Sequence, residues 1–230
     1  MEKEYIEIIE KLKALKNEEN RIGMGRFGIN IDNALGVSVS TLRQIAKNYK
    51  KNQELAEQLW KNGIHEARMM ASLLGDSKII KPETMDLWVS EFNSWDICDQ
   101  CCSNLFRKTT FAYKKAYEWA ESEKEFTRRA GFSLMATLAV GDKKSSNSDF
   151  IPMLNIIEKH SNDSRNMVKK AVNWALRQIG KRNKTLYIEA FSLSEKLKNS
   201  DNKIARWIGS DAFREFSDEK IIRRIKKDSN

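Results

Sequence analysis

The sequence predicts an all-α fold in which helical hairpins stack into a solenoid. Only 10 glycines and 2 prolines occur in 230 residues, too few for a fold of many short strands joined by turns. Nearly every segment shows the apolar spacing of an amphipathic helix. A weak internal repeat of about 40 residues has the length of one helical pair in such a stack. We expect residues 1–230 to form a single domain.

Short polar residues, glycine or proline mark most of the expected helix ends. Asn52 should open a helix that ends at Gly63, and Pro82 should lie in the first turn of another. The least regular stretches are expected at residues 21–36 and 141–148. Further N-cap candidates are Ser38, Ser94, Asp149, Asp163 or Ser164, and Asn202.

Four predicted helices share a basic residue followed by small and apolar residues. These segments are residues 67–71, 128–132, 169–173 and 205–209. In a stack of helical pairs the second helix of each pair lines one face, so the shared cations would lie along a concave groove. Chance similarity among amphipathic helices is the alternative explanation.

The charge balance favours a polyanionic partner. Lys and Arg number 41 against 32 Asp and Glu, which gives a formal charge of +9. Nucleic acid is the first candidate and an anionic membrane the second, although a basic protein without such a partner is equally compatible. No apolar run approaches the roughly 20 residues that span a bilayer, so we expect no membrane association. The odd cluster Cys98, Cys101 and Cys102 does not fit a disulfide framework and predicts a cytoplasmic location.

The segment 168–181 combines a core stripe with an unusual second face. Val168, Val172, Ala175 and Ile179 recur at helical spacing and should be buried. The other face, which we call the 170–181 face, carries Lys170, Trp174, Arg177 and Lys181. An indole among three cations suits contact with DNA, in which the cations bind phosphates and the ring lies against sugar or base. Packing of Trp174 against a neighbouring repeat explains it equally well.

Trp95 and Asp99 are four residues apart and should share one face of a helix that follows Ser94. A partly desolvated carboxylate beside an indole can stabilise a cation that forms in a transition state. An interaction of Asp99 with the helix dipole is the alternative, and the spacing alone favours it. Arg129 lies in an apolar segment and needs an anionic partner, either an internal carboxylate, the commoner case, or a phosphate.

Other classes of site find little support. No second ligand pair accompanies the cysteine run at a zinc-finger spacing, and only two histidines are present, so no metal is expected. The glycines of residues 23–28 do not follow a strand, as a dinucleotide-binding motif requires, and no cofactor is expected.

Together these residues resemble the DNA alkylation-repair glycosylases of the AlkD type, which are HEAT-like helical solenoids. The resemblance is densest at residues 24–27 with 35–37, 94–99, 128–130 and 170–177. It implies an α-α superhelix with a basic concave groove. It also implies a glycosylase that hydrolyses the N-glycosidic bond of cationic N-alkylated purines, of the 3-methyladenine or 7-methylguanine type, in duplex DNA.

The resemblance also implies roles for individual residues. Asp99 matches the catalytic aspartate, Trp95 and Trp174 match tryptophans that pack against the deoxyribose, and Arg129 matches a phosphate-facing arginine. The expected DNA-binding residues are Lys170, Arg177, Lys181, Arg26, Phe27, Arg68 and Arg206. Two departures stand out: Phe27 replaces a DNA-contacting tyrosine of better-known members, and a single tryptophan precedes Asp96.

Two alternatives stay open. The first is a non-catalytic binder of damaged or branched DNA, because the family includes relatives without glycosylase activity. The second is a protein-binding helical-repeat scaffold, since such arrays commonly bind proteins. We expect duplex DNA carrying alkylated bases as the partner and no obligatory protein partner. The preferred lesion, the oligomeric state and the role of the cysteine cluster are not predicted.

Overall fold

The computed structural model describes residues 2–227, and it leaves the side chains of Lys226 and Lys227 undescribed. This part of the chain contains 14 α-helices, one 3-10 turn and no strand, which confirms the all-α prediction. None of these helices is long and apolar enough to cross a membrane. The chain divides into two compact units, Met1–Phe111 and Ala112–Asn230.

In the first unit, one buried helix organises the others around it. This helix, α5 (His65–Leu74), packs against α3 (Val39–Ala46), α4 (Gln53–Lys61) and α7 (Trp95–Asn104), and most of its residues are buried. The helices of this unit are α1 (Glu2–Ala14), α2 (Glu18–Arg26), α3 (Val39–Ala46), α4 (Gln53–Lys61), α5 (His65–Leu74), α6 (Pro82–Ser90) and α7 (Trp95–Asn104), followed by the 3-10 turn Phe106–Lys108.

The second unit is built of paired helices in two layers. Its helices are α8 (Ala112–Ala120), α9 (Glu125–Gly141), α10 (Asn147–Lys159), α11 (Asn166–Gly180), α12 (Lys184–Lys198), α13 (Lys203–Phe216) and α14 (Glu219–Lys227). In one layer α11 packs against both α9 and α13, and in the other α10 packs against α8 and α12. The pairs α8 with α9 and α12 with α13 join the layers.

The four repeated segments all fall inside helices, namely α5, α9, α11 and α13. The small residues in them have a packing role. A Cβ atom built on Gly131 would lie 2.4 Å from the backbone nitrogen of Ala120, and one on Gly209 would lie 2.2 Å from that of Lys198. Since real Cβ contacts are much longer, glycine lets α9 and α13 approach the helices before them. The core stripe Val168, Val172, Ala175 and Ile179 is fully buried, as predicted.

Several predicted helix ends are confirmed. The side chains of Ser38, Asn52 and Asn202 accept hydrogen bonds from the first turns of α3, α4 and α13. Pro82 is the first residue of α6, and Gly63 has a positive φ just after α4.

Other predicted ends are wrong. Ser146 is the N-cap of α10, and Asp149, the third residue of the helix, completes a capping box in which its carboxylate accepts from the backbone N–H of Ser146. Arg165, not Asp163 or Ser164, is the N-cap of α11, because Asp163 is engaged by two guanidinium groups. Residues 21–26 are helical as the end of α2, although an irregular stretch was predicted there.

Candidate nucleic-acid interface

The start of α7 holds Trp95 in a defined position. The indole Nε1 of Trp95 donates a hydrogen bond to the backbone carbonyl of Phe27, 3.1 Å away. Asp99 lies one helical turn further along α7, and both side chains are half-buried. The pair lies at the edge of the apolar surface, because Cys98 and Cys101 beside it are completely buried.

Asp96, between these two residues, has a structural role. Its Oδ1 accepts hydrogen bonds from the Ser94 hydroxyl (2.7 Å) and the Ile97 N–H (2.9 Å), and its Oδ2 accepts one from His65 Nε2 (2.8 Å). Burial disfavours the charged carboxylate, but the hydrogen bonds from His65, Ser94 and Ile97 outweigh it and hold the pKa of Asp96 below its usual value. Ser94 stands at the N-cap of α7, as predicted, but its hydroxyl serves Asp96 instead of the helix end.

A loop anchored by a buried glutamate follows the exposed residues Arg26 and Phe27. Phe27 is 76% exposed, unusual for so large an apolar side chain. The carboxylate of Glu66, which is inaccessible to solvent, accepts hydrogen bonds from three successive N–H groups: Leu35 and Gly36 at 2.8 Å and Val37 at 3.2 Å. Residues 35–37 therefore tie the loop to α5.

Arg68 is enclosed by partners within the first unit. Its guanidinium lies 4.9 Å from the centre of the Trp60 ring, and its Nη2 is 3.1 Å from Glu91 Oε2. Glu91 also accepts from the Trp60 indole at 2.8 Å, and Trp60 stacks on Trp88 with ring centres 4.3 Å apart. These contacts give Arg68 a structural role, and its contact with DNA stays a prediction.

Arg129 lies in α9 and is only 5% exposed. Its Nη1 donates to the backbone carbonyl of Met167 at 2.7 Å, just before the core stripe of α11 begins. The neighbouring Arg128 pairs with Asp163 at 2.8 Å and Glu123 at 2.9 Å. A phosphate partner for Arg129 stays a prediction.

The 170–181 face is confirmed as a surface distinct from the core stripe. Lys170 is exposed and Trp174 half-buried. With its amide oxygen turned towards them, Gln178 accepts from the Trp174 indole N–H and from Lys181 Nζ, both at 3.2 Å. Trp174 is therefore held in place from within its own helix.

Two cations of this face share a carboxylate that the sequence analysis missed. Glu215 on α13 accepts from Arg177 Nη1 at 2.6 Å and also pairs with Lys181. Burial disfavours the charge of Glu215, but the hydrogen bonds from Lys181 and Arg177 outweigh it and lower its pKa. Asp211 lies 3.7 Å from Arg177 Nε. No local pattern could reveal this pairing, since Arg177 and Glu215 are 38 residues apart.

An exposed aromatic residue near Arg206 was also missed. Trp207 on α13 is 41% exposed, and Lys169 Nζ on α11 lies 4.6 Å from the centre of its ring. Arg206 is exposed and donates from Nη1 to the Ser200 carbonyl at 2.9 Å. Lys169 and Trp207 lie in the repeated segments 169–173 and 205–209, but the binding residues predicted in these segments were Lys170 and Arg206.

Within the described part of the chain, the cysteines and other possible ligands form no recognisable metal site. Across residues 2–227, no group of three or more His, Cys, Asp or Glu side chains is arranged to hold a metal ion. Cys98, Cys101 and Cys102 are buried thiols, and burial raises the pKa of Cys101 and Cys102 well above the usual value. These thiols are part of the core of the first unit.

Comparison with solved structures bears on the fold of this chain. One solved structure, from a family related to the HEAT-like repeat DNA glycosylases and described as having affinity for branched DNA structures, has a TM-score of 0.77 and 24% identity over 92% of this chain and 94% of its own. This likeness confirms the HEAT-like helical fold. A designed armadillo repeat protein in complex with a Lys-Arg peptide is much less similar. Its TM-score is 0.42 and its identity is 15%, over 83% of this chain and 80% of its own. No curated protein matches.

A family model also matches this chain, over most of its length. The model of the family described as "DNA alkylation repair enzyme" matches residues 8–216, which is most of the chain. The chain therefore belongs to the DNA alkylation repair enzyme family.

Proposed function

We propose that this protein is a DNA glycosylase that hydrolyses the N-glycosidic bond of cationic N-alkylated purines in duplex DNA. One observation carries the proposal. Of the two carboxylates in the segment 94–99, Asp96 is buried, with 8% of its surface exposed, whereas Asp99, one turn after Trp95, is only half-buried. Asp99 is therefore the carboxylate of this segment that a substrate can approach.

The chemistry needs a carboxylate and little else. A purine alkylated at a ring nitrogen carries a positive charge, so it departs with the electron pair of the glycosidic bond and becomes neutral. The sugar that remains has oxocarbenium character, which the Asp99 carboxylate would stabilise while orienting the attacking water and receiving its proton. The faces of Trp95 and Trp174 would add cation–π stabilisation. Because the charge of the base activates its departure, no second acid is required.

The proposed binding residues differ in how readily they can meet DNA. Arg26, Lys170 and Arg206 are exposed and suit contact with backbone phosphates, whereas the exposed ring of Phe27 would lie against a sugar or base. Arg177 and Lys181 would have to exchange Glu215 for a phosphate. We propose Arg129 as a further phosphate contact, and the cytoplasm as the compartment because of the odd cysteine cluster.

The decisive experiment measures base release from duplex DNA that carries a single 7-methylguanine. Asp99→Asn should lower the rate by about 100-fold while leaving DNA affinity intact, since it removes charge stabilisation of the transition state. Asp201→Asn, an equal charge change at an exposed position, is the control. Trp174→Ala should also lose most of the rate, and Trp174→Phe, which keeps an aromatic face, should retain more of it.

A non-catalytic binder of damaged or branched DNA is the second candidate. The description of the structural neighbour as having affinity for branched DNA favours it. If the wild-type protein binds a four-way junction more tightly than a duplex, and releases no 7-methylguanine above the spontaneous rate, the second candidate replaces the first.

A further inference from the structure

The last helix of the chain concentrates positive charge beyond the family match. The helix α14 contains five cations, Lys220, Arg223, Arg224, Lys226 and Lys227, and one acidic residue, Glu219. Its net charge of +4 is nearly half of the +9 of the whole chain, carried by nine residues. The family match ends at residue 216, so this helix is not part of the shared pattern.

The helix is attached to the second unit at a specific place. It packs against α12 and α13, and Ile225 is almost completely buried. Arg224 Nη2 donates to the backbone carbonyl of Lys181 at 2.6 Å. This bond places α14 beside the end of α11 where the 170–181 face terminates. Of its three isoleucines, Ile225 is buried and Ile221 and Ile222 are partly buried, so the apolar face of the helix is directed towards the protein and not towards a membrane surface.

Two other cations of α14, Lys220 and Arg223, are available to a ligand. Lys220 is exposed, and the side chain of Arg223 is 79% exposed. Arg223 pairs with Glu219 at 2.7 Å, but a pair exposed to this degree on both sides contributes little and is readily exchanged for a stronger anion.

We propose that α14 is an accessory DNA-binding element in which Lys220 and Arg223 contact the phosphodiester backbone and extend the basic surface that includes the 170–181 face. This inference rests on the proposed function in that it takes duplex DNA as the ligand. The contacts are electrostatic and independent of sequence, so they raise affinity without touching the reacting sugar.

The test compares two double variants of the full chain in their affinity for duplex DNA across a range of salt concentrations. Lys220→Gln/Arg223→Gln should weaken binding by roughly tenfold at low salt and reduce the slope of log affinity against log salt by about 1.8, which is the release of two counterions. Lys143→Gln/Lys144→Gln makes the same charge change in an exposed loop of the same unit and should leave the slope nearly unchanged. Thermal denaturation should show equal stability for both variants.

Three results would overturn the inference. Equal loss of affinity in both double variants would show a general effect of net charge. If Lys220→Gln/Arg223→Gln lost binding to phosphatidylserine vesicles but still bound DNA as the wild-type protein does, α14 would be assigned to a membrane surface. A wild-type protein that binds no DNA at low salt would remove the inference and the proposed function together. By contrast, DNA binding that depends on Lys220 and Arg223, without any base release, supports the role of α14 and contradicts the glycosylase alone.

Discussion

Asp96 and Asp99 differ in environment although they are only three positions apart in the sequence. The carboxylate of Asp96 joins His65, Ser94 and Ile97, whereas Asp99 keeps access to solvent. We expect Asp96→Asn to lower the free energy of unfolding by about 1–3 kcal/mol, because it disrupts a buried hydrogen-bond network. Asp99→Asn should lower the free energy of unfolding less, because Asp99 is only half-buried. Equal destabilisation by the two changes would contradict the separation of a structural from a catalytic aspartate.

The Glu215 carboxylate should weaken DNA binding, because it forms ion pairs with two cations of the 170–181 face, Arg177 and Lys181. We predict that Glu215→Gln raises the affinity for duplex DNA severalfold and steepens its salt dependence, since Arg177 and Lys181 become available to phosphates. Glu158→Gln makes the same charge change in the same unit, where Glu158 pairs with the exposed Lys196, and serves as the control. An affinity for Glu215→Gln that is unchanged, or lower than that of the control, would make both cations structural.

The loop between α2 and α3 depends on a glycine that no other residue can replace. Gly36 has a φ of +82°, and a Cβ atom there would lie 2.0 Å from the backbone oxygen of Asn17. Gly63 has nearly the same φ, +80°, with open space around the corresponding position. Gly63→Ala should therefore lower the free energy of unfolding by about 1 kcal/mol, because only the backbone conformation is strained. Gly36→Ala should lower it by at least about 3 kcal/mol, because the close contact adds to this strain. Urea denaturation of both variants measures the difference, and similar losses would show that the close contact relaxes freely.

Helix prediction succeeded where an apolar stripe was present and failed where it was absent. The segment 168–181 showed such a stripe, and α11 occupies it. No residue of α2 is buried, so its sequence lacks the periodic signal and its glycines suggested a loop. Its N-cap, Asn17, does accept from the Asn20 N–H, a local signal that could have been recognised.

The net charge of +9 predicts a steep and log-linear loss of DNA affinity with salt for the whole protein. Exposed cations such as Lys170, Arg206 and Lys220 would each release counterions on binding. Binding measured by fluorescence anisotropy between low and physiological salt tests this directly. Retention of a protein partner that is insensitive to salt, with no retention of DNA, would instead favour the scaffold alternative.

The acid stability of the protein should depend on Asp163. Burial disfavours its charge, but hydrogen bonds from Arg165 and Arg128 lower its pKa from 3.8 to about 2. Because the folded pKa is below the unfolded one, the stabilisation is complete above about pH 4 and is lost as the pH falls towards 2. Asp163→Asn should reduce the free energy of unfolding at pH 7. In this variant the free energy of unfolding should also fall less steeply as the pH is lowered from about 4 towards 2. An unchanged pH profile of urea denaturation in the variant would contradict this role.

The sequence by itself determined the helical class, the core stripe of α11 and the segments that identify the family. These are local properties, since apolar spacing within one helix decides which of its faces is buried. The tertiary structure decided which charges are available to a ligand. Asp96 is paired with His65, 31 residues earlier, and Arg177 with Glu215, 38 residues later. Such pairs form only when helices pack, because no periodicity within a single helix specifies a partner on another one.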